Sequence, residues 1–139
     1  IATLAASKQR GAAMIGYVTI GYNDADKAMR FYDAVFGAFG LNRAFFDQGW
    51  AGYGKDGEAV QSIFLCPPYD GKPARPANGT MIAFKAETKD QVQAAFAAGL
   101  ANGGTDEGAP GGRPADSTTF YGAYLRDPDG NKFAVYCKP

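Results

Sequence analysis

From Met14 onward the apolar positions recur with two periods, one of about two residues and one of about 3.6. Positions 15–22 alternate as a strand does, and Asn23 or Asp24 stands where a helix cap is needed, with Asp26 adding negative charge in the first turn. Ala28, Phe31, Tyr32, Val35 and Phe36 then fall on one helical stripe, which the stretch from Gly37 to Gly40 ends. Three short strands are predicted next, at about 41–47, about 50–53 and 59–66, parted by Gly49 and by Gly54-Lys55-Asp56-Gly57. Pro67, Pro68, Pro73 and Pro76, with Gly71 and Gly79, forbid regular structure over 67–79 and make this stretch the link between two halves. The first pattern then returns. Positions 80–86 read as a strand, Thr88 with Gln91 as a capping box, and Val92, Ala95, Phe96 and Leu100 as the inward stripe of a second helix closed by Gly103-Gly104. An offset of 64 residues lays Tyr17 on Met81, Ala28 on Val92, Tyr32 on Phe96 and Phe36 on Leu100, a repeat weak in identity but consistent in residue type.

The second half continues with an irregular edge strand over 105–114 and ends in two β-prone runs, 120–125 and 133–137. Between these runs lies Arg126-Asp127-Pro128-Asp129-Gly130-Asn131-Lys132. Pro128 presets φ for the first corner of a type I turn, Asp129 tolerates the second, and Gly130 takes the left-handed position of a three-residue hairpin loop. That loop sets Asp127 opposite Asn131, and so Tyr124 opposite Ala134. The expected architecture is α+β: two βαβββ units whose helices, each with a single apolar stripe, pack on one face of a mixed sheet. The expected organisation is a tail over 1–13 and one domain over 14–139, made of a first unit 14–66, a linker 67–79 and a second unit 80–139.

Composition narrows the function classes. The chain of 139 residues is long enough for one core, and its 14 basic and 14 acidic residues are interspersed, which leaves no electrostatic footprint for nucleic acid. Apolar runs are interrupted by Gly or Pro well short of a membrane span. Cys66 and Cys137 make neither a disulfide framework nor a metal spacing, which fits a cytoplasmic protein. Asp127 and Asp129 read as turn formers, and Arg126 and Lys132 as a solvated rim.

Three stretches in order carry a resemblance: Met14-Ile15-Gly16-Tyr17-Val18-Thr19-Ile20 before a helix, Asn78-Gly79-Thr80-Met81-Ile82-Ala83-Phe84 before another, and the Asp-Pro-Asp-Gly-Asn hairpin. Together they resemble the vicinal oxygen chelate (VOC) superfamily of glyoxalases, extradiol dioxygenases and bleomycin-resistance proteins, from about Met14 to the end. The resemblance implies that the two units curl into an open, incompletely closed cup with helices outside and the site inside. In metal-dependent members the ion is held by His or Glu on the first strand of each unit and Glu on the last, often with a fourth ligand late in the first unit. Those places fall here on Tyr17, Met81, Ala134 and the neighbourhood of Ser62 to Phe64, and the chain has no histidine. A phenol, a thioether and a methyl are not a donor set for a hard or borderline divalent ion, so a cup without metal and without cofactor is expected; a soft metal on atypical ligands is the alternative.

Strand parity then predicts the lining. If Tyr17 points in, so does Thr19; Ala134 brings Tyr136 and, across the hairpin, Tyr124 and Phe120; Arg43, Phe46, Trp50 and Tyr53 come from the middle strands, with Ser62 and Met81 beside them. Such an aromatic pocket suits a planar ligand, or an anionic one held by arginine. The bland alternative is that inward tyrosines and Met81 only fill the core. Three classes follow: a metal-free small-molecule binder of the bleomycin-resistance kind; a glyoxalase- or dioxygenase-like enzyme working through the hydroxyl of Tyr17 or Tyr124; and an interaction protein whose cup is packing. A tyrosine base at neutral pH needs its pKa lowered by about three units, roughly 4 kcal/mol, so a donor role fits better. Two-unit members of the resembled family commonly pair, and a homodimer is expected.

Overall fold

A computed structural model of the chain describes residues 14–139, and the tail read over 1–13 lies outside the described residues. The first unit is β1 (Val18–Gly21), α1 (Ala25–Gly37), β2 (Asn42–Asp47), β3 (Trp50–Gly54) and β4 (Ile63–Cys66). The second is β5 (Ile82–Lys85), α2 (Lys89–Ala101), β6 (Thr105–Gly112), β7 (Tyr121–Arg126) and β8 (Lys132–Cys137). Each unit makes a four-stranded sheet of the same topology, β1-β4-β3-β2 and β5-β8-β7-β6, with its first strand parallel to its last. The 64-residue offset carries β1 onto β5 and α1 onto α2 residue for residue, so the weak repeat in sequence is a close one in structure.

Local chemistry explains the boundaries. Asp24 caps α1, its Oδ1 accepting from Lys27 N at 3.0 Å, with Asp26 in the first turn. Thr88 caps α2 by accepting from Gln91 N at 3.1 Å, and Gln91 Oε1 reaches back to accept from Glu87 N at 2.8 Å. β1 and β4 are shorter than the patterns at 15–22 and 59–66 suggest.

One core lies between the helices and both sheets. Phe31, Tyr32, Val35 and Phe36 of α1 are fully buried, and α1 makes the aromatic contacts that join the units: Phe36 to Phe84 at 5.0 Å, Phe31 to Phe133 at 5.8 Å and Tyr32 to Phe133 at 6.0 Å. The inward stripe of α2 is corrected at one position. Val92 and Ala95 are buried and Phe96 packs against the core, but Leu100 is 42% exposed and Gly99 takes the buried place beside Phe31 and Leu125.

The hairpin forms as its residues dictate. Gly130 has φ 88°, its N–H donates to Asp127 O at 2.9 Å, and Tyr124 lies opposite Ala134. The loop also clasps the two units. Asp127, 4% exposed, accepts at Oδ1 from the N–H groups of Asp129 and Asn131, both at 2.9 Å, and at Oδ2 from the Tyr32 hydroxyl at 2.6 Å and Asn131 Nδ2 at 2.9 Å. Asn131 Nδ2 donates as well to Gly21 O at 3.0 Å, and Asn23 N donates to Asp129 Oδ1 at 3.1 Å. With every lone-pair direction of Asp127 engaged, its burial is compensated, and the turn residues hold β1 and α1 against the second sheet.

Candidate functional site

Parity along each strand divides the sheets into a helix face and an open, concave face. Ile20, Ile63, Leu65, Phe84, Phe133 and Val135 are buried toward the helices. Their neighbours Thr19, Phe64, Ala83 and Ala134 point the other way, with Thr19 paired to Phe64 and Ala83 to Ala134. Tyr17 and Met81, each just before the first strand of its unit, share that open parity and are 63% and 43% exposed.

On the first sheet the concave face is organised by Phe64. Its ring meets Tyr17 edge-on at 5.5 Å, Trp50 at 5.8 Å and Phe45 at 6.2 Å. Phe64 and Phe45 were both absent from the lining expected from sequence. Phe64 lies two residues after Ser62, an exposed residue of the same parity, and alternation through β4 was signal enough to find it. Phe45 was concealed by a bulge. The pairing of β2 with β3 shifts between Arg43 and Phe45, so that Phe45 lies opposite Gly52 on the concave face while Phe46 lies opposite Ala51, whose neighbours are the helices. A Cβ on Gly52 would overlap the Phe45 ring, so the ring keeps this place because a glycine lies beneath it.

Two further positions are corrected by alternation along β3, which puts Tyr53 on the face opposite to Trp50. Arg43 and Tyr53 are partners on the helix face, and both attend to Asp33 of α1. Arg43 donates from Nε and Nη2 to the two Asp33 oxygens at 3.2 and 3.1 Å and from Nη1 to Met29 Sδ at 3.3 Å, and the Tyr53 hydroxyl donates to Asp33 Oδ1 at 2.7 Å. Tyr53 is fully buried, and burial, followed by that bond to Asp33, pushes its phenol well above the ordinary range. Arg43, Phe46 and Tyr53 therefore stand away from Tyr17, Thr19 and Trp50, and the arginine expected to hold an anion is already engaged.

On the second sheet Phe120 stacks on Tyr136 with centroids 5.4 Å apart and planes 12° from parallel, over Gly122. Tyr124, half-buried, has the Arg113 guanidinium 5.4 Å from its ring and the Lys132 ammonium 5.9 Å from it. Ala134, 1% exposed, lies between its partners Ala83 and Tyr124. Phe120, Tyr124, Ala134 and Tyr136 thus share the open face of the second sheet, as Tyr17, Thr19, Trp50 and Ser62 share that of the first.

The concave face also carries a wall that was read only as a connection. A cavity of about 790 Å³ opens between the first sheet, at Thr19, Trp50 and Cys66, and the linker from Pro67 to Pro76, with Asn131 at its base. Of the expected lining, Thr19 and Trp50 reach it. A smaller cavity of about 180 Å³ lies at the seam where Thr19 and Gly21 of β1 meet Ile82 and Phe133. Burial pushes the Cys66 thiol up, which makes it a poor thiolate at neutral pH.

The places that hold an ion in metal-dependent members of the resembled superfamily present a phenol, a thioether and a methyl, with Ser62 nearby. Among the described residues, no three His, Cys, Asp or Glu side chains converge. These groups do not fit a hard or borderline divalent ion, which needs three or four N, O or thiolate donors.

A family model described as the glyoxalase/bleomycin resistance protein/dioxygenase superfamily matches residues 14–135. Among solved structures, a glyoxalase/bleomycin resistance protein from Albidiferax ferrireducens T118 is 36% identical, with a TM-score of 0.81 over 91% of this chain and 100% of its own. A glyoxalase-related enzyme from Fulvimarina pelagi is 18% identical, with a TM-score of 0.69 over 91% and 88% of the two chains. A lactoylglutathione lyase from Agrobacterium tumefaciens is 22% identical, with a TM-score of 0.60 over 91% and 93%. These last two share the fold. No curated protein matches the chain.

Proposed function

The chain belongs to the glyoxalase/bleomycin resistance protein/dioxygenase superfamily, and from that membership we propose that it binds a small planar molecule on its concave face without a metal ion. The observation that carries this reading is the aromatic floor around Phe64. Tyr17, Phe45 and Trp50 are 63%, 38% and 41% exposed beside it, at the place where metal-dependent relatives gather their ligands. Apolar rings left open to water and converging on one another suit a flat ligand, because stacking and burial supply affinity with no chemistry needed. A thermal-shift screen against aromatic antibiotics, hydroxy-ketones and glutathione adducts, run in chelator and repeated with Phe64→Ala, tests it. Stabilisation by a planar compound that the substitution removes supports the proposal; one divalent ion per chain that survives dialysis contradicts it.

The second reading is an enzyme of the glyoxalase or dioxygenase kind. It is favoured by the Tyr17 hydroxyl, which bonds to none of the described residues and so remains available as a donor to an oxyanion. A compound that Tyr17→Phe still binds but no longer turns over favours this second reading over simple sequestration. The protein acts as a homodimer in the cytoplasm. The pairing is supported by the exposed side chain of Phe46 on the edge strand β2, and the compartment by two free, buried cysteines. Among the described residues no helix is long and apolar enough to cross a membrane.

A further inference from the structure

The linker is not a slack connection. Asn23 clamps its middle by both ends of one amide, Nδ2 donating to Ala74 O at 3.1 Å and Oδ1 accepting from Ala74 N at 2.7 Å. Gly71 N donates to Pro68 O at 3.1 Å to close a turn, and Pro76 rests on Gly130 of the hairpin. On the opposite wall the Tyr22 hydroxyl donates to Gly49 O at 2.7 Å, which fixes the turn that carries Trp50. Both walls of the 790 Å³ cavity are thus held from outside it.

Two cations line this cavity from the linker, Arg75 beside the clamped Ala74 and Lys72 a turn earlier. Neither makes an ion pair among the described residues, where the ion pairs are Arg43 with Asp33 and Arg126 with Glu107. Asp70 is the acidic residue of the lining, and its Oδ1 already accepts from Lys72 N at 3.0 Å. The polar side of the pocket therefore offers guanidinium and ammonium donors, and its apolar side the half-open indole of Trp50.

We infer that this cavity selects an anionic aromatic ligand, its ring against Trp50 and its carboxylate or phosphate between Arg75 and Lys72. The inference rests on the reading of the concave face as a planar-ligand site, and adds the charge that site requires. A planar guanidinium pairs bidentately with either anion, and a point-charge ammonium beside it adds attraction without geometry.

Trp50 is the single tryptophan of the chain, so its emission reports this cavity and the Phe64 floor that it borders. The chelator-treated full chain is titrated with 4-nitrobenzoate, 4-nitrophenyl phosphate and the neutral 4-nitrobenzamide, quenching being corrected for absorption and checked by calorimetry. The anions are expected to bind at least about tenfold more tightly than the amide at low salt, a difference of about 1.4 kcal/mol. That advantage shrinks in high salt, disappears in the double variant Arg75→Gln/Lys72→Gln, and narrows in Asn23→Ala, which frees the linker and leaves both charges. The ratio of the two anions tells a carboxylate ligand from a phosphate one. Equal affinity for benzoate and benzamide, or a charge preference that survives the double variant, overturns the inference and leaves the planar-ligand reading standing. Absence of quenching by all three probes overturns both.

Discussion

Single side chains decide which face each strand turns toward the ligand. Arg43 and Tyr53 have the residue types of a binding site, but alternation along β3 turns Tyr53, and with it its partner Arg43, toward Asp33; the bulge in β2 exchanges Phe46 for Phe45, and no alternation rule applied to the sequence foresees where a bulge falls. Tyr17, Thr19 and the Tyr124–Ala134 pairing were legible because β1 and the hairpin keep strict parity. Asp127 is the residue on which the joined units most depend. Asp127→Ala strands the buried Tyr32 hydroxyl and two backbone N–H groups, and is expected to cost about 3 kcal/mol in urea unfolding, whereas Tyr17→Phe, at an exposed position, changes stability by less than about 0.5 kcal/mol. Tyr32 also sets an alkaline limit. Burial, then the charge of Asp127, raises its phenol well above 10.0, so above that pH the unfolded chain releases a proton that the folded chain keeps. Stability is therefore full below pH 10 and falls above it, by about 1.4 kcal/mol per pH unit for this group, and Tyr32→Phe is expected to flatten that slope while lowering stability at neutral pH.

At the scale of elements, helices announced themselves through caps and stripes, and their limits followed. What the stripe of α2 did not announce was the close approach of the helix to its surroundings, which turns Gly99 inward and Leu100 out. The same closeness reappears where α2 hands over to β6. A Cβ on Gly104 would lie 2.6 Å from the Phe31 ring and 2.9 Å from the carbonyl oxygens of Arg126 and Gly99. Backbone cannot retreat as a side-chain tip can, so Gly104→Ala is expected to destabilise by about 2–4 kcal/mol. Gly37, in the last turn of α1, faces nothing within 4 Å, and Gly37→Ala is expected to be neutral or to stabilise by up to about 1 kcal/mol. Thermal melts of the two variants side by side check the pair. The linker was the other element that the sequence concealed, because prolines advertise a break in regular structure and say nothing of the Asn23 clamp that makes the break rigid.

Among the described residues, two units of like topology, joined by α1 and the hairpin clasp, leave their concave faces free. The repeat was legible as an offset of 64 residues; the walls of the cavity were not, since they combine β1, β3 and a linker far apart in sequence. Pairing of chains belongs to this scale. Light scattering across a wide concentration range is expected to give the mass of a dimer, and a monomer mass at high concentration would count against the proposed assembly. The central claim is that the superfamily's ion-holding places here serve a ligand directly. Calorimetric titration of the chelator-treated chain with 4-nitrobenzoate, repeated after adding zinc, nickel, manganese or iron, tests it most directly. Saturable binding near one ligand per chain, with a negative heat-capacity change and indifferent to every metal, is the predicted result; binding that arises only once a divalent ion is supplied would contradict it.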